Sequence, residues 1–349
     1  PPRSTLFPYT TLFRSLTESV ALLRRNIATA FLEGGGIQYL EFGSWSNSRS
    51  WLDDPVLMSQ VQRGQEIWFD FYKHPQPNDK KIAVIFDPSE LMRSGYPVVP
   101  GTFTDAIGNL SMLALHRSGF VFDLLTPQDF VSSDHPYELA VFLNLFSASP
   151  EVIASVEKRL TAPAMKRIYW IYAPGLASEQ SFSDALMKRL TGINLKHDLA
   201  SGAAQVFVGN NFYGIRAGNG YLPVAPRVYA DDPAANTMGK YENGRSAWVR
   251  KTLPNGKIAY FSGVPIVDET MWKVLFADAR IHGYTNPGTV VQANHNTILY
   301  HSKSGSITAA LPRSAERVVD LFENKEIGRS LSVFKLNEDG PHTWLLRME

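Results

Sequence analysis

Residues 82–86 read IAVIF, an apolar run of strand length, and three further strand candidates follow: FVFDLL at 120–125, LAVFL at 139–143 and RIYWIY at 167–172. A strand that is apolar at every position has both faces covered, as in the parallel sheets of α/β proteins. Helix signals lie between these runs. Thr102 and Asp105 form a capping box for a helix reaching Arg117, Ser149-Pro150-Glu151 opens a second, and Ser183–Leu190 carries a third. Strand and helix in alternation predict a parallel sheet clothed on both sides, a flavodoxin-like arrangement.

Toward the C-terminus the pattern changes. Residues 195–263 are strand-like and turn-rich, with turns at Asp231-Asp232-Pro233 and Asn255-Gly256. Ile258–Phe261 is a strand and Asp268–Ile281 a closing helix. Beyond Pro287 only strands are predicted: Val290–Ala293, Ile298–His301, Ile307–Leu311, Val318–Phe322, Leu331–Lys335 and Thr343–Arg347. Ser304-Gly305 is a hairpin tip and Asp339-Gly340 a turn. Short strands at even spacing predict a small all-β sandwich or barrel.

Toward the N-terminus, Leu16, Val20, Leu23, Ile27 and Phe31 fall on one helical face, with Thr17 as cap and Gly34–Gly36 as stop. Ile37–Phe42 (IQYLEF) reads as a short buried strand. Asp54 as N-cap and Pro55 as first helical residue open a second helix, with core face Leu57, Val61, Trp68, Phe71 and Tyr72. The stretch 74–78 (HPQPN) reads as a linker. The predicted domains are therefore 16–78, 79–285 and 286–349. Residues 1–15 (PPRSTLFPYTTLFRS) repeat TLF and resemble translated sequencing-adapter DNA from an assembled environmental contig. On that expectation the natural N-terminus is missing, and the compartment stays open, with the bacterial cytoplasm favoured.

Composition excludes several function classes. Lys+Arg number 34 against 33 Asp+Glu, a formal charge of +1, which argues against a nucleic-acid or polybasic membrane protein. With no cysteine, disulfides, thiolate metal sites and Cys nucleophiles are absent. No apolar run approaches the ~18 residues of a membrane span. Neither a dinucleotide fingerprint, a P-loop nor a zinc spacing is present, so no cofactor and no metal are expected.

Three stretches together resemble the C-terminal half of bacterial (β/α)8-barrel glycoside hydrolases of the β-galactosidase-like type. They are residues 19–68 (SVALLRRNIATAFLEGGGIQYLEFGSWSNSRSWLDDPVLMSQVQRGQEIW), the α/β block with DLLTPQDF, FLNLF and YWIYAPG, and the tail 289–328 (TVVQANHNTILYHSKSGSITAALPRSAERVVDLFENKEIG). The resemblance implies the last helix–strand–helix of a barrel at 16–78, a glutamine-amidotransferase-like (trimerisation) domain at 79–285 and a small β domain at 286–349. It implies retaining chemistry by two carboxylates about 5–5.5 Å apart. In that family the acid/base follows the fourth barrel strand and the nucleophile the seventh. If Ile37–Phe42 is the eighth strand, both lie upstream of Leu16, and this chain alone is inactive. The implied partners are a carbohydrate, through the parent enzyme, and further copies of the chain as a dimer or trimer.

The candidate sugar-binding residues lie on the loop after that strand. Glu41 stands at its C-terminal end, where such barrels build their active sites. It reads as a sugar-hydroxyl acceptor, or as the nucleophile if the strand count differs; the structural reading is a carboxylate paired with an arginine. Trp45 could stack on a sugar ring or simply cover the barrel end. Trp51 and Asp53 share the loop. In the α/β block, Asp87-Pro88-Ser89, Asn144-Leu145-Phe146 and Tyr172–Gly175 would sit at the carboxyl edge of the sheet. Ser147 with His116 or His135 could form a hydrolytic pair, although no G-x-S-x-G elbow supports it. His295 and His301 share one face of a predicted strand without metal spacing. The rival to a glycosidase fragment is a non-catalytic carbohydrate-binding or oligomerisation module.

Overall fold

The computed structural model describes residues 15–39, 54–93, 100–177 and 181–349. Two compact units are present: Pro1–Asp79 with His116–Val121 and His282–Glu349, and Lys80–Leu115 with Phe122–Ile281. The chain opens with helices α1 (Leu16–Leu32) and α2 (Pro55–Lys73), both in the first unit.

The second unit holds eleven strands in one sheet. They are β1 (Ile82–Ile85), β2 (Asp123–Leu125), β3 (Leu139–Phe142), β4 (Arg167–Ile171), β5 (Leu195–Asp198), β6 (Gln205–Val208), β7 (Asn211–Gly214), β8 (Arg227–Ala230), β9 (Asn236–Lys240), β10 (Ser246–Thr252) and β11 (Ile258–Ser262). The order β2-β1-β3-β4-β11 is parallel throughout. β10, β9, β6 and β7 continue the sheet antiparallel, and β8 with β5 forms a branch from β10. Every residue of β1 and β3 is buried, as both-faces-covered strands require. The cross-strand register stacks Phe142 on Trp170 (4.4 Å between centroids) and Tyr169 on Tyr260 (4.1 Å), so aromatic ladders fill both faces. The short helices begin where capping chemistry places them. Thr126 and Asp129 form a reciprocal capping box, and Ser149 precedes Pro150. Expected strand 120–125 begins only at Asp123, because 116–121 belongs to the first unit.

The first unit is completed by β12 (Val290–Asn294), β13 (Thr297–Ser302), β14 (Ser306–Asp320), β15 (Lys325–Asn337) and β16 (His342–Met348), in the order β12-β13-β16-β14-β15 and antiparallel. Where the spacing predicts six strands in a sandwich, the structure has one sheet. Ile307–Leu311 and Val318–Phe322 merge into the long β14, bent by a register shift between Ala310 and Ala315. Residues from both halves of β14 (Ile307, Ala309, Leu311, Ala315, Val318) enter one core with Ile298, Tyr300, Trp344 and Leu346. Val121 and Tyr284, from outside the sheet, complete this core.

The other face of this sheet carries the helix pair. Leu299 and Leu345, odd in parity to the residues just named, pack with Leu321 and Phe322 against Ile27, Ala28, Leu32 and Ile67. Gly64 lets α2 approach α1; a Cβ there would stand 2.9 Å from Ile27 Cγ2. Polar groups fasten the pair. Thr343 Oγ1 donates to Ala21 O (2.5 Å), Asn294 Nδ2 to Leu32 O (2.7 Å) and Arg24 Nε to Gln60 Oε1 (2.7 Å), while Arg347 pairs with Asp70. The inner faces of α1 and α2 are thus covered by the β sheet. Ser15, not Thr17, caps α1. Ile37–Tyr39 are outside any strand, Ile37 and Tyr39 packing on the helix–sheet core; the rest of the expected strand lies outside the described residues. No helix among the described residues is long and apolar enough to cross a membrane.

Candidate functional site

Glu41, Trp45, Trp51 and Asp53 lie outside the described residues. Neighbouring Asp54 is the helix cap that its position ahead of Pro55 predicts, accepting from Val56 N (2.9 Å) and Leu57 N (3.1 Å).

The described candidate is the carboxyl edge of the parallel strands, where open α/β sheets place ligands. The ends of β1 and β3 are locked together by Asn144, only 1% exposed. Its Oδ1 accepts from Asp87 N and its Nδ2 donates to Asp87 O, both at 2.7 Å. The buried Glu90 carboxylate accepts from Ser147 N (3.0 Å) and from Ser147 Oγ (2.9 Å to each oxygen). Ser147 is therefore held by a carboxylate, not by an imidazole. His135 lies ahead of β3, at the opposite end of the strand, where its Nε2 meets Lys80 O at 2.7 Å. The Ser147–His135 pair does not form, and His116 belongs to the other unit.

After β4 the chain turns sharply at Tyr172, whose φ of 68° is left-handed and strained for a residue with a side chain. In α/β-hydrolases a strained strand-to-turn position mounts the nucleophile. Here the position carries a phenol. Its hydroxyl donates to Pro226 O (2.8 Å), and its ring lies 4.5 Å from Phe103 and 5.3 Å from Phe146. Burial drives its pKa far above the ordinary tyrosine value, so the group stays protonated. At this edge Tyr172 is a packed core residue, closed in by Phe103, Phe146 and the Pro226 carbonyl.

At the amino edge, the sequence reading missed a buried polar network. Lys80 Nζ pairs with Asp123 Oδ1 (3.0 Å), and Tyr137 OH donates to Asp123 Oδ2 (2.6 Å). Lys80 and Asp123 sit at the ends of apolar strands, and only the parallel pairing of β1 with β2 brings them together.

In the first unit, the two histidines expected on one strand are separated by structure. His295 sits in the β12–β13 turn with φ 36°, its Nδ1 3.5 Å from Asp79 Oδ2. His301 is buried on β13, its Nδ1 2.8 Å from Thr343 Oγ1. Burial, with Arg25, Lys303 and His342 nearby, lowers its pKa to about 4. Asp320 is pushed the other way, to about 6, by burial. Among the described residues no group of three or more acids and histidines is placed to hold a metal ion.

No family model matches the sequence, and no curated protein matches it. Solved structures do. A catalytic mutant of Gan42B, a GH42 β-galactosidase from G. stearothermophilus, matches at TM-score 0.64 and 13% identity, over 93% of this chain and 50% of that one. The β-galactosidase from Rahnella sp. R3 matches at TM-score 0.58 and 14% identity, over 93% and 51%. That from Bacillus circulans sp. alkalophilus matches at 0.57 and 15%, over 84% and 44%. The fold, a mixed α/β sheet with a separate antiparallel sheet, is thus similar to part of these GH42 and other β-galactosidase structures, and the chain spans about half the length of these proteins.

Proposed function

We propose that this chain is the C-terminal half of a retaining, β-galactosidase-like glycoside hydrolase, with its catalytic carboxylates upstream of Leu16 and no hydrolytic activity of its own. The carrying observation is the fold likeness over 93% of this chain to half of a GH42 β-galactosidase. On this reading 16–78 is the last unit of a (β/α)8 barrel, 79–285 an amidotransferase-like domain and 286–349 the terminal β domain. Glu41, Trp45, Trp51 and Asp53 contact the sugar of a β-linked galactoside or related oligosaccharide, and the parent assembles as a dimer or trimer without a cofactor.

Two features support it. The left-handed turn at Tyr172 holds a buried phenol that donates to Pro226 O, which fits an amidotransferase-like domain retained for structure. Helix α2 also has a second aromatic face: Phe69 is 54% and Tyr72, expected on the core face, 72% exposed, because only Ile67 and Phe71 of this turn reach the helix–sheet core, with Trp68 stacked on Tyr72 at 5.3 Å. Exposed aromatic clusters of this kind mark surfaces that take a partner, a further domain or a ligand.

The test is hydrolysis of a panel of nitrophenyl β-glycosides by residues 16–349. No turnover above buffer is expected. Turnover abolished by Glu41→Gln would sink the truncation reading. The seating of α1 and α2 on the antiparallel sheet favours the second reading, a stand-alone carbohydrate-binding or oligomerisation module. The parent gene separates the two: ~300 residues carrying the rest of a barrel ahead of Leu16 against a start codon beside it.

A further inference from the structure

Three aromatic rings stand in a row at the antiparallel end of the eleven-stranded sheet, with a cation at each end. Phe207 of β6 and Phe212 of β7 are register partners, and Lys240 of β9 is the partner of Phe207 on its other side. Partners across strands share one face of a sheet, so these three side chains point the same way, while Val206 and Tyr213 are buried on the opposite face. The Phe207 and Phe212 rings lie 5.4 Å apart, Phe212 and Tyr221 again 5.4 Å, and the Arg216 guanidinium sits 4.9 Å over the Tyr221 ring. Gly214 leaves room for the row: a Cβ there would fall 2.5 Å from Phe212 Cζ and 2.7 Å from Tyr221 Cε1.

The row is open to solvent. Phe207 is 42% and Phe212 47% exposed, and Lys240 and Arg216 are exposed as well. Neither cation has an acidic partner among the described residues. Exposed apolar rings rimmed by polar groups mark a surface that takes a partner, and unpaired cations at the rim select an acidic one. Three rings separate the two cations, so one small anion cannot reach both; the ligand is a chain with its charges spaced along it. Nucleic acid fits poorly. It carries a phosphate at every nucleotide and calls for a basic stripe, whereas the formal charge of the whole chain is +1. The rings are also tilted, by 50° between Phe207 and Phe212 and by 82° between Phe212 and Tyr221, so successive planar bases cannot stack on them in parallel. The C–H faces of sugar rings need no such alignment to pack on aromatic faces.

We infer that this row binds an acidic oligosaccharide, with Phe207 and Phe212 against its sugar rings and Lys240 and Arg216 on carboxylates or sulfates toward either end. The inference goes beyond the glycosidase reading and does not depend on it.

Calorimetric titration of the full chain tests it. The probes are a galacturonate tetramer and a sulfated galactan tetramer, which tell carboxylate from sulfate, against a neutral galactan tetramer, monomeric galacturonate and a short oligothymidylate. At least one acidic tetramer should bind about tenfold more tightly than each of the three controls. The Lys240→Gln/Arg216→Gln variant, altered at two exposed side chains, should lose about tenfold in affinity with an unchanged Tm. Phe212→Ala should lose about as much. In the unaltered chain, raising sodium chloride from about 50 to about 300 mM should weaken binding severalfold, a readout that stands even if the variants fold poorly. A neutral tetramer, a monomer or oligothymidylate binding as tightly, salt-independent binding, or no binding at all would each overturn the inference. So would a change of oligomeric state in Phe212→Ser on size-exclusion chromatography, which would make the row a contact between copies of the chain. Hydrolysis results leave it untouched, so its failure and that of the glycosidase reading are distinguishable.

Discussion

Arg63 of α2 donates twice to the backbone carbonyl of Leu321, from Nε at 2.9 Å and from Nη2 at 2.6 Å. The two residues are 258 apart in sequence, and the contact joins a helix near the start of the chain to the loop after β14. A hydrogen bond from a charged donor contributes about 1.5–3 kcal/mol when shielded and less when wet. Replacing Arg63 by Met keeps the stem and removes both donors. The expected loss is about 1–2 kcal/mol in urea unfolding of the first unit. An unchanged midpoint would show that the helix pair is not fastened there.

The deletion of residues 1–78 is a sharper test. Had the first helices borne bare flanks, removing them would improve behaviour. In the structure it uncovers Leu299, Leu321, Phe322 and Leu345. Each such side chain contributes ~1.5–3 kcal/mol on burial. The truncated chain should aggregate or lose its cooperative transition, as read by size-exclusion chromatography and thermal melting.

Gly64→Ala should destabilise although alanine is the better helix former by about 1 kcal/mol. The new Cβ would lie 2.9 Å from Ile27 Cγ2 and 3.0 Å from Cδ1, inside contact distance. Overpacking of this size costs about 1–3 kcal/mol. Ile27→Val in the same chain should recover part of the loss, and a double-mutant cycle measures the coupling.

Stability against pH carries two opposed contributions from the first unit. Burial raises Asp320 to about 6, so the folded state binds the proton more tightly than the unfolded one. That contribution is lost as pH rises from the unfolded carboxylate value of ~3.9 through about 6. His301, lowered to about 4, runs the other way: its folded form resists protonation, and stability falls as pH drops from ~6.5 to about 4. The two slopes offset each other across about pH 4–6. Asp320→Asn, which keeps an acceptor for Phe322 N (2.9 Å), should leave a profile that rises with pH by about 2–3 kcal/mol over that window. His301→Gln should leave one that falls. Urea midpoints at several pH values decide.

Ser147→Ala should not alter ester hydrolysis by this chain, because the hydroxyl donates to the Glu90 carboxylate and His135 lies at the opposite end of β3. Its cost should appear in stability, about 1–2 kcal/mol, from a buried carboxylate deprived of a donor. Esterase turnover on nitrophenyl acetate that disappears in this variant would restore the hydrolytic pair.

The parallel strands were legible because IAVIF and RIYWIY are short, β-branched or aromatic apolar runs alternating with helix signals, and the caps at Asp54, Thr102 and Ser149 because capping is local chemistry. The curled terminal sheet was not. Its single-sheet character depends on the register shift in β14, and strand spacing does not encode whether two runs are one bent strand. The seating of α1 and α2 was missed for a related reason: periodicity shows which face is apolar, not which surface covers it. The left-handed turn at Tyr172 carries no local motif; chain geometry after β4 alone brings it about.

The short 116–121 segment belongs to the first unit while both of its neighbours belong to the second. It is pinned there by Tyr284 N donating to Gly119 O (2.8 Å), and Gly119, at φ 87°, has no room for a Cβ, which would fall 2.2 Å from Thr285 O. The polypeptide therefore stitches back and forth between its units instead of stringing them like beads. Neither can be cloned as one contiguous stretch without tearing the other, and recombination would have to inherit both together.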